Sequence, residues 1–454
     1  MSAVQHLRLI EPQSERSKDT LVQPCDVEIG SQSLKHGDSS PEVLQENEHV
    51  IPDGGWKAWC TVAGAFLILM CSSGYANSYG VFQAAYVEEL LPNHSASEIA
   101  WIGTVQDFLF FSMGIPAGIL FDARKFRSLT VSGSVLLVGC CFAQSAAKPG
   151  QYYQFFLSQG VGQGIGLGLM YLPAVAVVSQ YFLKWRALVT GVLYMGSGLG
   201  GVIFPILINK VLQSHGFTTS VRATGYLLLG GLVLANLLIR PNYNPSHNSL
   251  PPPKLKTLLT DLPYLIGTLS AFFTGFGIFF PFFYIQLYSI TIGLDQNISF
   301  YTLTIMNGAS IFGRFIPTIF ADRFGPITCQ IPSTIISTVL VFVLLSIKTQ
   351  PGIIAFCVLY GFFSGAGKVV SLFPPMIALM ANSMAEVGVR MGLSFFVYSL
   401  AVLTGSPIVG ALIGYGPFTW WKGIVFAGVC FGAGSGLMLV TRSMLQRKKG
   451  VKWI

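Results

Sequence analysis

"GILFDARKFR" (residues 118–127) and "TIFADRFGP" (residues 318–326) are two versions of one phrase. Each closes an apolar run with an aspartate and bases, and the aspartates, Asp122 and Asp322, stand 200 residues apart. A second pair keeps nearly the same offset. "GQGIGLGLMYLP" carries Gly164, Gly166 and Pro173; "SGAGKVVSLFPP" carries Gly365, Gly367 and Pro374, each matched at 201 residues. The chain therefore reads as one unit written twice. Matched halves with matched charges after corresponding helices are a building plan of secondary transporters with parallel repeats.

The solvent of that unit follows from composition. Of 454 residues, 52% are apolar, 13% aromatic and only 10% charged, and mean hydropathy is +0.61. Soluble domains carry about 25% charged residues, so this chain cannot cover a globule with polar side chains and takes the lipid bilayer as its partner. A spanning helix needs about 20 apolar residues. Such runs are predicted near 57–82, 98–121, 128–147, 152–180, 187–211, 223–240, 262–291, 298–320, 327–347, 352–380, 390–414 and 421–441. The fold class is an all-α membrane protein of twelve transmembrane helices in two six-helix repeats. Residues 1–49, polar and poor in aromatics, read as a disordered cytoplasmic tail. The repeats fall at 50–240 and 262–441, a Pro-rich cytoplasmic linker at 241–261, and a short tail at 442–454.

Orientation is set by Lys and Arg in short loops. With the N-terminus in the cytoplasm, the inner loops and C-terminal tail hold fifteen such residues, among them Arg124, Lys125, Lys184, Arg186 and Arg323, against five outside. Both termini are thus expected in the cytoplasm of a multi-pass protein, most simply at the plasma membrane. The net charge of +8 is a matter of loops, and no aromatic-plus-basic module suggests nucleic acid. The eight cysteines show no CxxC pair and no metal spacing with His, so no metal and no cofactor is expected. No His pair, Ser-Lys dyad or paired-Asp motif stands at membrane depth, which argues against an enzyme.

Three ionisable residues stand inside predicted helices, where each is costly in lipid. Asp107 is nine residues into the second helix, about 14 Å along it. Arg314 lies in the eighth and Lys368 in the tenth. An arginine fork matches a carboxylate with two parallel hydrogen bonds. Arg314 accordingly reads either as a site for an organic anion or as the salt-bridge partner of Asp107. Lys368 reads as cavity-facing, or as snorkelling. The Phe-rich seventh helix adds Tyr284 as a candidate substrate contact.

The phrases after helices 2 and 8 resemble the inner-loop G-x-x-x-D-R-x-G motif of the major facilitator superfamily. Thr318 stands where a Gly is usual and Ala123 where an Arg is usual. The resemblance implies a conformational gate at Asp122, Arg124, Asp322 and Arg323. A narrower resemblance rests on Asp53-Gly54-Gly55-Trp56-Lys57-Ala58-Trp59 before helix 1, and on Tyr181-Phe182-Leu183-Lys184-Trp185-Arg186-Ala187-Leu188 before helix 5. Both are similar to motifs of the monocarboxylate transporter family, in the longer form frequent in its fungal members. It implies that Arg314 binds a substrate carboxylate. It also implies two departures: Ser310 stands where that family has a coupling aspartate, and Asn77 where it has a lysine. These departures point to a different substrate, or to coupling moved elsewhere, for which Asp107 and Lys368 are the candidates. The resulting expectation is a secondary transporter of a small organic acid by alternating access, proton-coupled. The alternatives are an exporter of a bulkier metabolite, an uptake carrier for a vitamin-like solute, or a non-transporting nutrient receptor.

Overall fold

The computed structural model describes residues 54–178, 180–182, 186–242, 260–367, 372–381, 384–414 and 418–450. Among them every regular element is a helix. Spanning helices α1 to α4 cover Trp56–Leu90, Ala96–Phe121, Phe126–Ser145 and Tyr152–Val178. Arg186–Leu238 is a continuous stretch bent at Gly216, whose φ of 78° is open to glycine at little cost, giving α5 (186–215) and α6 (217–238). There follow α7 (Leu262–Thr291), α8 (Gln296–Phe324), α9 (Pro326–Ser346), α10 (Gln350–Gly367, resumed over Phe373–Met380), α11 (Met384–Ile413) and α12 (Trp420–Lys449). Among the described residues, nine stretches are long and apolar enough to cross a membrane. The count reaches twelve because one of the nine holds both α5 and α6, α8 is made too polar by residues such as Asn307 and Arg314, and α10 is described in two pieces. The twelve helices belong to one compact unit.

Local chemistry sets the ends. Gly54 and Gly55 have φ of 150° and 98°, a turn that only glycine makes freely. They lead the chain into α1 and leave Trp56 84% and Trp59 49% exposed, where an indole suits the membrane interface. Asp53 and Lys184 lie outside the described residues, as does the side chain of Arg186. At the start of α2, Ser95 Oγ accepts from the Glu98 amide and Glu98 Oε2 accepts from the Ser95 amide, both at 3.2 Å, a reciprocal cap. The Asp295 carboxylate accepts from the amides of Asn297 and Ile298 and so starts α8.

Helix packing explains the glycine-rich α4. A Cβ on Gly164 would stand 2.9 Å from the Gln106 carbonyl of α2, and one on Gly166 2.9 Å from the Leu137 amide of α3. These glycines let helices touch backbone to backbone. A buried amide and phenol network joins the same region. Tyr75 donates to Gln163 at 2.9 Å, Gln163 to Gln144 at 2.8 Å, and Gln144 to Tyr86 at 2.7 Å, tying α1, α3 and α4.

The last six helices use charge instead. Arg390, expected in an inner loop, is fully buried in α11. Its Nη1 donates to Asp261 Oδ2 at 2.7 Å, and Lys448 of α12 reaches the other carboxylate oxygen at 3.2 Å. The guanidinium also lies 4.9 Å from the centre of the Tyr264 ring. Burial becomes possible because the pair supplies what water would have supplied.

We call the bundle end that carries residue 56 proximal and the other distal. Near the distal end the first and last six helices touch. Ser97 Oγ of α2 donates to the Pro407 carbonyl of α11 at 2.8 Å. The rings of Tyr79 in α1 and Phe283 in α7 lie 4.7 Å apart.

Candidate functional site

A small cavity lies at mid-bundle, between the first and last six helices. Ser73, Ala76 and Asn77 of α1, Asp107, Phe110 and Phe111 of α2, Phe279 of α7 and Arg314 of α8 line it. The course of α1 explains how three of its residues reach the cavity. Met70–Gly74 is a π-helical turn, a form common at functional sites. The helix is then interrupted at Asn77 and Ser78 and resumes at Tyr79. Its freed backbone is taken up locally: Asn307 Nδ2 of α8 donates to the Asn77 carbonyl at 3.5 Å. Broken helix at membrane depth is tolerated where protein surrounds it or a cavity lies beside it.

The charges are deep. Asp107 and Arg314 are each 4% exposed. Arg314 Nη1 donates to the Tyr194 carbonyl of α5 at 3.4 Å. Asp107 and Arg314 come from opposite sets of six helices, yet both face the same space. Aromatic rings form much of the remaining wall. Phe110 packs on Tyr171 at 4.7 Å, and Phe111 stacks on Phe395 of α11 at 5.9 Å. The cavity itself measures only about 20 Å³, close to what one water needs. Ligand pockets run to ~300 Å³ and more, so a solute of any size requires the helices around it to part.

The candidates separate clearly. Arg314, Asp107 and Asn77 are brought together at the cavity. Tyr284 is elsewhere: its hydroxyl donates to the Ser406 carbonyl of α11 at 3.1 Å and it takes no part in the cavity wall. Phe110, Phe111 and Phe279 complete the wall and are not marked by any motif. Lys368 lies outside the described residues, and so do the side chains of Asp122, Asp322 and Arg323. Arg124 is described and exposed, with φ of 60°, the left-handed region. Its amide donates to Phe121 O and the Lys125 amide to Leu120 O, a paired closure of the helix end that glycine usually serves. Gly325, 201 residues on, has φ of 81° at the end of α8. The two copies of the repeat thus turn alike, one on glycine and one on arginine.

Residues 61–406 match the profile of the Major Facilitator Superfamily. The chain belongs to that superfamily. It is a multi-pass membrane transporter of small-molecule substrates, and it is similar to several fungal proteins. Over 390 residues it is 38% identical to the aspyridones efflux protein apdF of Emericella nidulans, covering 85% of this chain and 77% of that one. It is 35% identical to the fujikurins efflux protein of Gibberella fujikuroi over 439 residues, 93% and 92% of the two chains. The MFS-type transporter pynF of Aspergillus niger is 33% identical over 419 residues, 91% and 95%. These three relatives are efflux or MFS-type transporters, and none of them carries the monocarboxylate name that the two helix-start motifs suggest.

Proposed function

We propose that this transporter exports a bulky, weakly acidic organic metabolite across the plasma membrane by alternating access, with both termini in the cytoplasm. The observation that carries the reading is the placement of Arg314 and Asp107 beside three phenylalanine rings at one buried cavity. Arg314 binds the anionic group of the solute, in two parallel hydrogen bonds where that group is a carboxylate. Asn77 supplies a neutral polar contact. Phe110, Phe111 and Phe279 offer their faces to an unsaturated or ring-bearing body. A lactate-sized acid would leave most of that aromatic surface unused, and the likeness to efflux proteins points the same way.

Asp107 couples the step to protons. A cavity that holds one guanidinium and one carboxylate is neutral; an entering anion makes it negative unless Asp107 takes a proton. The halves at 50–240 and 262–441 then rock about the cavity, joined by the linker at 241–261. The charges Asp122, Arg124, Asp322 and Arg323 gate the proximal face.

The test is an untargeted comparison of metabolites inside and outside cells with and without the protein. Deletion should raise the internal level of an acidic, ring-bearing metabolite and lower its external level. Re-expression of wild type should reverse this, and Arg314→Ala should not. Identical inside-to-outside ratios in all three strains would refute export.

A further inference from the structure

Helices α5 and α8 run antiparallel and meet at three levels, spaced seven or eight residues apart on α5 and seven apart on α8. At the cavity, Arg314 reaches the Tyr194 carbonyl. Seven residues further on each helix, Gly201 faces Asn307, and a Cβ on Gly201 would stand 2.8 Å from Asn307 Cγ. The last rung is distal. Asn209 Nδ2 donates to the Phe300 carbonyl at 2.9 Å, and Asn209 Oδ1 accepts from Gln286 Nε2 of α7 at 3.5 Å. Seven residues are two helical turns, so the ladder runs roughly 20 Å from the cavity to the distal end.

Two features set this seam apart from ordinary helix packing. Asn209 commits both ends of its carboxamide to the other six helices while itself only 4% exposed. Along the same seam, Gln286 Oε1 and Asn307 Oδ1 are buried and have no hydrogen-bond partner among the described residues. A buried acceptor without a donor destabilises the state that buries it. Water or a passing polar solute would satisfy both oxygens once the seam parts. The seam is thus held shut by one good clasp and loosened by two unmet acceptors, which suits a contact that must alternate between two states of similar free energy. Between the rungs the surfaces are shallow: Gly308 faces Val202 and Gly198 faces Ile311.

We infer that Asn209 is the latch of the distal gate, and that the seam it closes, past Asn307 and Gln286, is the path by which solute leaves the cavity. This rests on the alternating-access reading above. Asn209 is a positioning residue; it acts through the helices it holds and not by contact with the bound anion.

The test reads access directly and needs no transported solute. Ser299, fully buried beside Phe300, is replaced by cysteine in a background without the native cysteines. A membrane-impermeant maleimide is then added from the distal side of sealed vesicles. Asn209→Ala should raise the labelling rate of Cys at 299 roughly three- to tenfold, the worth of a net hydrogen bond or so. Gly201→Ala should raise it as well, by pressing Asn307 away, and the added change Asn307→Ala should bring the rate back down. A cysteine on the proximal face should not follow. The inference is overturned if neither single variant shifts labelling by more than twofold while both remain in the membrane, or if proximal labelling rises equally. Enhanced distal labelling without any export would sink the proposed function and leave the latch standing; export with unchanged labelling would do the reverse.

Discussion

Two arginines are buried in the last six helices, and they are not alike. Arg390 has its acid at 2.7 Å, an aromatic ring beneath it and a second cation sharing the same carboxylate. All these partners belong to the last six helices and move with it. Arg314 donates at 3.4 Å to a carbonyl of α5 and shares a cavity with Asp107 of α2. Its described surroundings belong largely to the first six helices and part from it when the halves rock. Burial does not distinguish a structural charge from a working one. What distinguishes them is whether the partners travel with the charge.

The largest expected effect tests the fixed arginine. Arg390→Ala leaves Asp261 facing a cavity with only Lys448 to answer it. Removing one partner of a buried pair costs about 3–5 kcal/mol. Membrane abundance and the melting temperature of the purified protein should both fall. Neutralising both partners, Arg390→Met with Asp261→Leu, should restore much of the loss, since Lys448 is 49% exposed at its side chain and can turn to water. An Arg390→Ala protein that is abundant and stable but does not transport would erase the contrast between the two arginines.

Arg314→Ala should show the opposite profile, with normal abundance and transport reduced about a hundredfold. That figure corresponds to two tenfold steps of 1.4 kcal/mol, near the upper end for hydrogen bonds to a charged group. Arg314→Lys should recover little, because an ammonium has no fork for two parallel bonds. Uptake or efflux in vesicles, normalised to protein in the membrane, makes the measurement. Full transport by the alanine variant would move Arg314 to the structural class.

The sequence makes this contrast only half legible. Arg314 and Asp107 stand out because a charge within an apolar run is costly in lipid, and the alternative of a salt bridge between them already sets them side by side. Arg390 reads as a loop residue, because it stands at the edge of an apolar run; only three-dimensional packing brings Asp261 and Lys448, 129 and 58 residues away, to its side. The twelve helices are legible from the apolar runs taken together with the repeat. The π-helical turn in α1, which ends at Gly74 where that glycine packs against Gly200 of α5, is not. Nor are Gln144 and Gln163 visible as a unit. They look like isolated polar residues until α3 and α4 are laid side by side. The phenylalanine walls fail for the opposite reason: Phe is so common here, at 35 residues, that those facing the cavity cannot be told from those facing lipid.

The smallest effect is the most discriminating, because Asp107 shares Arg314's cavity but need not share its role. A proton on Asp107 removes a negative charge from the neighbourhood of the bound anion, so proton and anion should cross together. The sign follows for efflux. Acidifying the distal side loads protons where the anion must be released, favours the anion-bound form there and slows net efflux from preloaded vesicles. Wild type should therefore slow as the distal pH falls. Asp107→Asn keeps the shape of the side chain but not its charge or its titration, so its efflux should change little over the same range. Counterflow exchange, which needs no net proton movement, should stay within a few fold of wild type. Unchanged pH dependence in Asp107→Asn would remove this aspartate from coupling. The acid would then stand to Arg314 as Asp261 stands to Arg390, a counter-charge for the fold, and the transporter would be a facilitator or draw its proton from another group.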